Sequence, residues 1–148
     1  MNAASTITDV ADRIWVVRHE WFDVNTTVIG GDDGVVVVDT HASAESGRAL
    51  REQTAALGAG LGAGEVLAVV TTHAHFDHSF GTIAFTEHSP DLPVYAHEGA
   101  LAELEGYLAD GVDVWEGDAD DPRAAEVRRT EIVLPTRTFS SVASINVG

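Results

Sequence analysis

Three histidines and one aspartate fall within six consecutive positions of this chain, in the run Thr72-His73-Ala74-His75-Phe76-Asp77-His78. Neutral imidazole and ionised carboxylate are good ligands for zinc and similar divalent metals. A helix would scatter these side chains around its circumference. An extended segment puts residues 73, 75 and 77 on one side, and a turn at its end brings His78 round to join them. The spacing therefore predicts one or two metal ions held at the end of a strand. Such a metal lowers the pKa of bound water and generates a hydroxide nucleophile near neutral pH. His73 and His75 are expected to hold one metal. Asp77 and His78 are expected to serve a second, or to orient the attacking water. The pattern is not the helical H-E-x-x-H arrangement of many zinc proteases.

The elements around this run must place it. Residues 13–19 and 24–30 are rich in β-branched and aromatic residues and read as strands. Gly31-Asp32-Asp33-Gly34 has hairpin-turn chemistry. The unbroken runs Val35–Val38 and Val66–Val70 are patterned as strands covered on both faces, and the metal run follows the second at once. Residues 43–57 fit a helix capped by Ser43, with glycines from 58 to 64 ending it. Further helices are expected over 79–87, 98–109 and 124–129. Further strands are expected over 94–96, 132–134 and 141–147. Strands alternating with helices give an α/β class in a single domain over 1–148.

From these residues the chain resembles the metallo-β-lactamase superfamily. The resemblance rests on Thr72–His78, which fits an H-x-H-x-D-H signature after a buried strand. It rests also on the stretch from Asn25 to Thr40, similar to the family's early hairpin and following strand, and on residues 93–98. The resemblance implies an αβ/βα sandwich, of which this chain would supply mainly the first half: a mixed sheet with flanking helices. It implies a metal-dependent hydrolase, with His73 and His75 on a first metal and Asp77 and His78 on a second. Asp39 would be an acid that hydrogen-bonds near the histidine ligands and orients them. Zinc, as one or two ions, is the expected cofactor, with iron or manganese as alternatives. The substrate would be a small ester, thioester, lactam or similar compound. The family's later histidines and bridging acid have no counterpart here, so the chain is expected to be truncated at its C-terminal side. The alternatives are a non-catalytic interaction domain that self-associates through an exposed sheet face, and an iron-dependent oxidoreductase of the same fold.

Composition narrows the partners. The 148 residues are 45% hydrophobic and carry a formal net charge of -16. That charge argues against nucleic-acid and anionic-membrane partners, since the chain would repel phosphates. With no cysteine, neither a disulfide framework nor a thiolate metal site can form. The first fifteen residues lack a basic start followed by an apolar stretch, so a cytoplasmic protein is expected. His41 reads as a polar loop residue beside Asp39, and His97 as the mark of a strand end. His19 and Trp21 leave two readings open, the lining of a substrate pocket and a core or edge role.

Overall fold

The computed structural model describes residues 4–148; the reading of the N-terminus at residues 1–3 lies outside them. The strands are β1 Ser5–Ala11, β2 Ile14–His19, β3 Val24–Gly30, β4 Val35–Val38, β5 Val66–Thr71, β6 Val94–His97 and β7 Arg137–Phe139. The helices are α1 Ala44–Gly60, α2 Phe76–Ser79, α3 Thr82–Thr86, α4 Glu98–Asp110 and α5 Ala124–Arg128. All seven strands form one sheet in sequence order. β1 to β4 pair antiparallel through hairpins, and β4 to β7 pair parallel through helical crossovers. The α/β expectation and the mixed sheet with flanking helices hold.

Strand alternation divides the side chains between two faces. Val17, Val28, Val35, Val37, Val69 and Val94 point to one face and pack with Leu50 of α1 and with Ala84 and Phe85 of α3. Each fully buried side chain of this size contributes about 1.5–3 kcal/mol. The register sets Val16, Thr27, Val38, Val70 and Tyr95 in one row across the other face, and all five are half-buried. A second cluster lies at the end of the sheet, beyond β4 and β5: Trp21, Phe76, Phe80, Leu104 and Val127 are its largest buried members.

Several boundaries depart from the sequence reading. β1 was not expected: its side chains are exposed along nearly its whole length, so no apolar pattern marks it. The strand expected over 132–134 is irregular; Ile132 and Leu134 pack on the second cluster as loop residues. The strand after α5 is Arg137–Phe139 instead, and residues 141–147 pair with no sheet neighbour. That last segment runs back to the β3–β4 turn, where Asp33 N donates to Val147 O at 2.9 Å. The helix expected over 79–87 is split into α2 and α3 around Gly81.

Gly81 is required where it stands. A Cβ there would collide with the carbonyl of Thr40 and approach Gly47 of α1 within 3.1 Å. The absence of side chains at 47 and 81 lets α1 and α3 touch backbone to backbone. α1 itself starts on a reciprocal cap: Ser43 Oγ accepts from Ser46 N, and Ser46 Oγ accepts from Ser43 N, both at 3.0 Å. Such a cap is worth about 1 kcal/mol.

Candidate metal centre

The parallel strands β4, β5 and β6 all end on one edge of the sheet, and the chemistry-bearing residues collect there. Asp39 follows β4 in a left-handed conformation, φ 64°. Aspartate is among the few non-glycine residues that enter this region readily. Its neighbour Thr40 donates its N–H to His78 O at 2.8 Å, and Gly81 N donates to His41 O at 2.9 Å. These two backbone bonds clamp the segment after β4 to the turn that carries His78.

β5 stops at Thr71, so the metal run is not an extended strand as expected. His73 and Ala74 lie in a bend, and His75 stands at the N-terminal boundary of α2. Asp77 and His78 are inside that single-turn helix, and Ser79 Oγ ties it back to Ala74 O and His75 O at 3.0 Å each. The bend followed by one helical turn brings the imidazoles together by another route. The His73 ring centroid lies 4.8 Å from that of His75 and 4.2 Å from that of His78. His78 Nε2 is 3.8 Å from Asp77 Oδ2.

Asp39 is 5% exposed and holds this arrangement. Its Oδ1 accepts from Thr72 N at 2.8 Å; its Oδ2 accepts from Thr72 Oγ1 at 2.8 Å and from His78 Nδ1 at 2.7 Å. A proton on His78 Nδ1 leaves the Nε2 lone pair for a metal, the usual effect of a carboxylate behind a ligand histidine. The Asp39 bond also pushes the His78 pKa above its ordinary value. Burial, then the neighbouring His78 and His75, pushes the His73 pKa down and favours its neutral, ligating form. Among the described residues, Asp39, His73 and His78 offer ligand atoms all within 4.8 Å of one another. With three hydrogen bonds on its two oxygens, Asp39 has little accepting capacity left and suits orientation better than ligation. His75 and Asp77 lie outside that tight group but beside it. The donor set, imidazole nitrogens with carboxylate oxygens, fits zinc, iron or manganese.

Some neighbours were missed or misread. Thr72 gives two of the three bonds to Asp39, and its place at the head of the run was the only signal. His41 is no exposed loop residue: it is 3% exposed and also left-handed, φ 69°. Its ring stacks on His19 with centroids 4.1 Å apart, and its Nε2 donates to Trp21 O at 3.0 Å. Burial lowers the pKa of both rings, that of His19 to about 3. Trp21 and His19 are core residues that also border a cavity of about 250 Å³ next to α1. His97 ends β6 and caps α4, accepting from Gly99 N at 3.0 Å.

The family model described as the metallo-beta-lactamase superfamily matches residues 19–144. Among curated proteins no sequence matches. The fold is similar to that of the metallo-beta-lactamase MIM-1 from Novosphingobium pentaromativorans, at 19% identity and TM-score 0.66, over 99% of this chain and 49% of that one. It is similar to BJP-1, a subclass B3 metallo-beta-lactamase of Bradyrhizobium japonicum, at 20% identity and TM-score 0.65, over 99% and 50%. It is similar also to the metallo-beta-lactamase FIM-1 from Pseudomonas aeruginosa in a mono-zinc form, at 19% identity and TM-score 0.56, over 80% and 52%. The chain thus spans about half the length of the solved structures it matches. No helix among the described residues is long and apolar enough to cross a membrane. The match over residues 19–144, on a chain whose histidines gather at the end of the parallel strands, makes this protein a member of the metallo-β-lactamase superfamily.

Proposed function

We propose that this chain carries the metal-binding residues of a metal-dependent hydrolase that acts on a small ester, thioester, lactam or similar compound, with zinc as the metal. One observation carries the reading: Asp39 bonds His78 Nδ1 from behind, while the rings of His73, His75 and His78 converge in front. His73 and His75 would hold one ion, and Asp77 and His78 a second. The chemistry supplied by zinc at such a site is Lewis acidity and a lowered pKa for water. Asp39 fixes the His78 ring and its tautomer. The Asp77 carboxylate would accept a hydrogen bond from the attacking water and so orient it. The clamp between Thr40 and His78 keeps these groups in register while substrate enters.

The test combines binding and turnover. Calorimetry should show zinc binding that is lost in His73→Ala. Zinc-dependent hydrolysis of phenyl acetate, a thioester or a β-lactam should be abolished in the same variant. Full activity in His73→Ala, or hydrolysis indifferent to a chelator, would sink the assignment. An iron protein would instead show visible absorbance.

A further inference from the structure

The chain's eight cationic side chains are all arginines, set against 24 carboxylates. Six of them pair with an aspartate or glutamate: Arg13, Arg18, Arg48, Arg123, Arg128 and Arg129. Among the described residues Arg51 and Arg137 have no such partner. Arg137 lies exposed on β7. Arg51 stands half-buried on α1, and its Nε is shut off from water with no hydrogen-bond acceptor. A buried donor without an acceptor costs free energy, more so when it carries charge. In a chain this acidic, an unanswered guanidinium points to an acceptor from outside the chain.

Arg51 lines a cavity of about 230 Å³ between α1, the start of β5 and the segment after α3. Ala55, Val66, Phe85 and Leu92 form its apolar part. Phe85 and Leu92 belong to the core, at 1% and 8% exposed, so this wall is rigid. His88 and Ser89 add a ring nitrogen and a hydroxyl to the lining. Apolar cavities of about 150 Å³ take up benzene, so a body of that size fits here. The place is remote from the metal run. Val66 opens β5 and Thr71 closes it, about 16 Å further along the strand.

The nearby charges leave Arg51 to decide the occupant. One acid shares the lining, Glu65, an exposed residue with no ion pair to Arg51. Arg48 and Glu87 bond each other at 2.9 Å and cancel. The net charge of -16 opposes an approaching anion, but salt at about 0.1 M screens it beyond about 10 Å. At contact a guanidinium takes a carboxylate through two parallel N–H···O bonds. We infer that this cavity binds a small carboxylate with an aryl or branched alkyl body. The carboxylate sits on Arg51, and the body lies against Phe85 and Leu92. The inference does not depend on the hydrolase reading.

The experiment is a residue-resolved NMR titration of the full chain with three probes of one shape: benzoate, benzamide and benzylammonium. Benzoate is expected to shift Ala55, Val66 and Leu92 saturably. Benzamide, which lacks the charge, should bind there about tenfold more weakly, and benzylammonium more weakly still. Benzoate can also ligate zinc, so shifts at the metal run are not scored. Arg51→Gln should weaken benzoate about tenfold or more and bring it level with benzamide. Glu65→Gln, a change at an exposed position, should tighten benzoate several-fold, and it keeps the test alive should the arginine variant misfold. Benzamide or benzylammonium binding as tightly as benzoate in the parent protein overturns the inference. So does a titration that leaves Ala55, Val66 and Leu92 unmoved. Benzoate binding in Glu65→Gln alone also overturns it, because Arg51 would then belong to Glu65.

Discussion

Replacing Asp39 by Asn isolates what the buried carboxylate does. Asparagine is nearly isosteric and accepts the left-handed backbone at this position, so neither packing nor strain is disturbed. The carboxylate accepts three hydrogen bonds, from Thr72 N, Thr72 Oγ1 and His78 Nδ1. Bonds to an ionised group are worth about 1.5–3 kcal/mol and neutral ones about 0.5–1.5. Losing the charge should then cost about 1 kcal/mol per bond, or about 3 kcal/mol in all. The new amide can still donate to Thr72 Oγ1, but it meets His78 Nδ1 as a donor. His78 must therefore move its proton to Nε2, the nitrogen intended for the metal. Zinc affinity should drop by about 10–100-fold. Urea unfolding in the presence of a chelator measures the first effect without metal linkage. Calorimetry measures the second, and long-range nitrogen–proton NMR reads the tautomer. The pH dependence gives a further check. The folded pKa of His78 is raised, so its bond contributes stability that is fully present below the unfolded value and is lost as pH rises through the folded one. The deficit of Asp39→Asn should accordingly be larger at pH 6 than at pH 8.5. A variant within 1 kcal/mol of the parent at pH 6, with His78 titrating as before, would refute the reasoning.

Four other outcomes follow from the geometry. His73→Ala and His75→Ala should each abolish tight zinc binding in calorimetry while changing chelator-treated stability little, because both side chains are partly open to solvent. His41→Gly relieves a left-handed backbone but removes the stack on His19 and the bond to Trp21 O. Amide exchange at residues 21–23 should quicken about tenfold or more, and global stability should fall as well, because a buried ring is removed. Gly81→Ala drives a methyl into the Thr40 carbonyl and should cost more than about 3 kcal/mol or prevent folding, read by circular dichroism. His19 is buried with its pKa held near 3. The unfolded chain therefore takes up a proton there first as pH falls below the ordinary value. Stability should decline from about pH 6.5 toward the folded pKa, and His19→Gln should flatten that slope in acid unfolding curves.

The strands that were legible are those whose side chains meet the core. Val28, Val37, Val69 and Val94 are apolar because they line one buried row, and periodicity finds such rows. β1 and β7 are edge strands, and their exposed side chains carry no such pattern. Ile132 and Leu134 misled in the opposite sense: they are apolar because an aromatic cluster needs cover, which an irregular loop provides equally well. At the centre, His73, His75, Asp77 and His78 were visible as a run, and Asp39 through the resemblance. The route by which they meet was not visible. The clamp from Thr40 to His78 joins backbone groups, which any sequence possesses, across 38 positions. His41 looked like a loop residue because nothing nearby in the chain announces its stacking partner, His19.

The change from antiparallel to parallel pairing at β4 also orders events in time. The hairpins from β1 to β4 join neighbours along the chain and close within microseconds in isolation. The bonds of Asp39 reach across 33 residues to Thr72 and 39 to His78, so they wait for α1 to pass over and β5 to dock. The nascent hairpins therefore present Asp39 before His73 or His78 can reach it. A metal arriving early would find only flexible, competing ligands. If the proposed zinc site forms, loading would belong to the last stage of folding, and the rate at which zinc becomes protected from a chelator would clock the docking of β5 on β4.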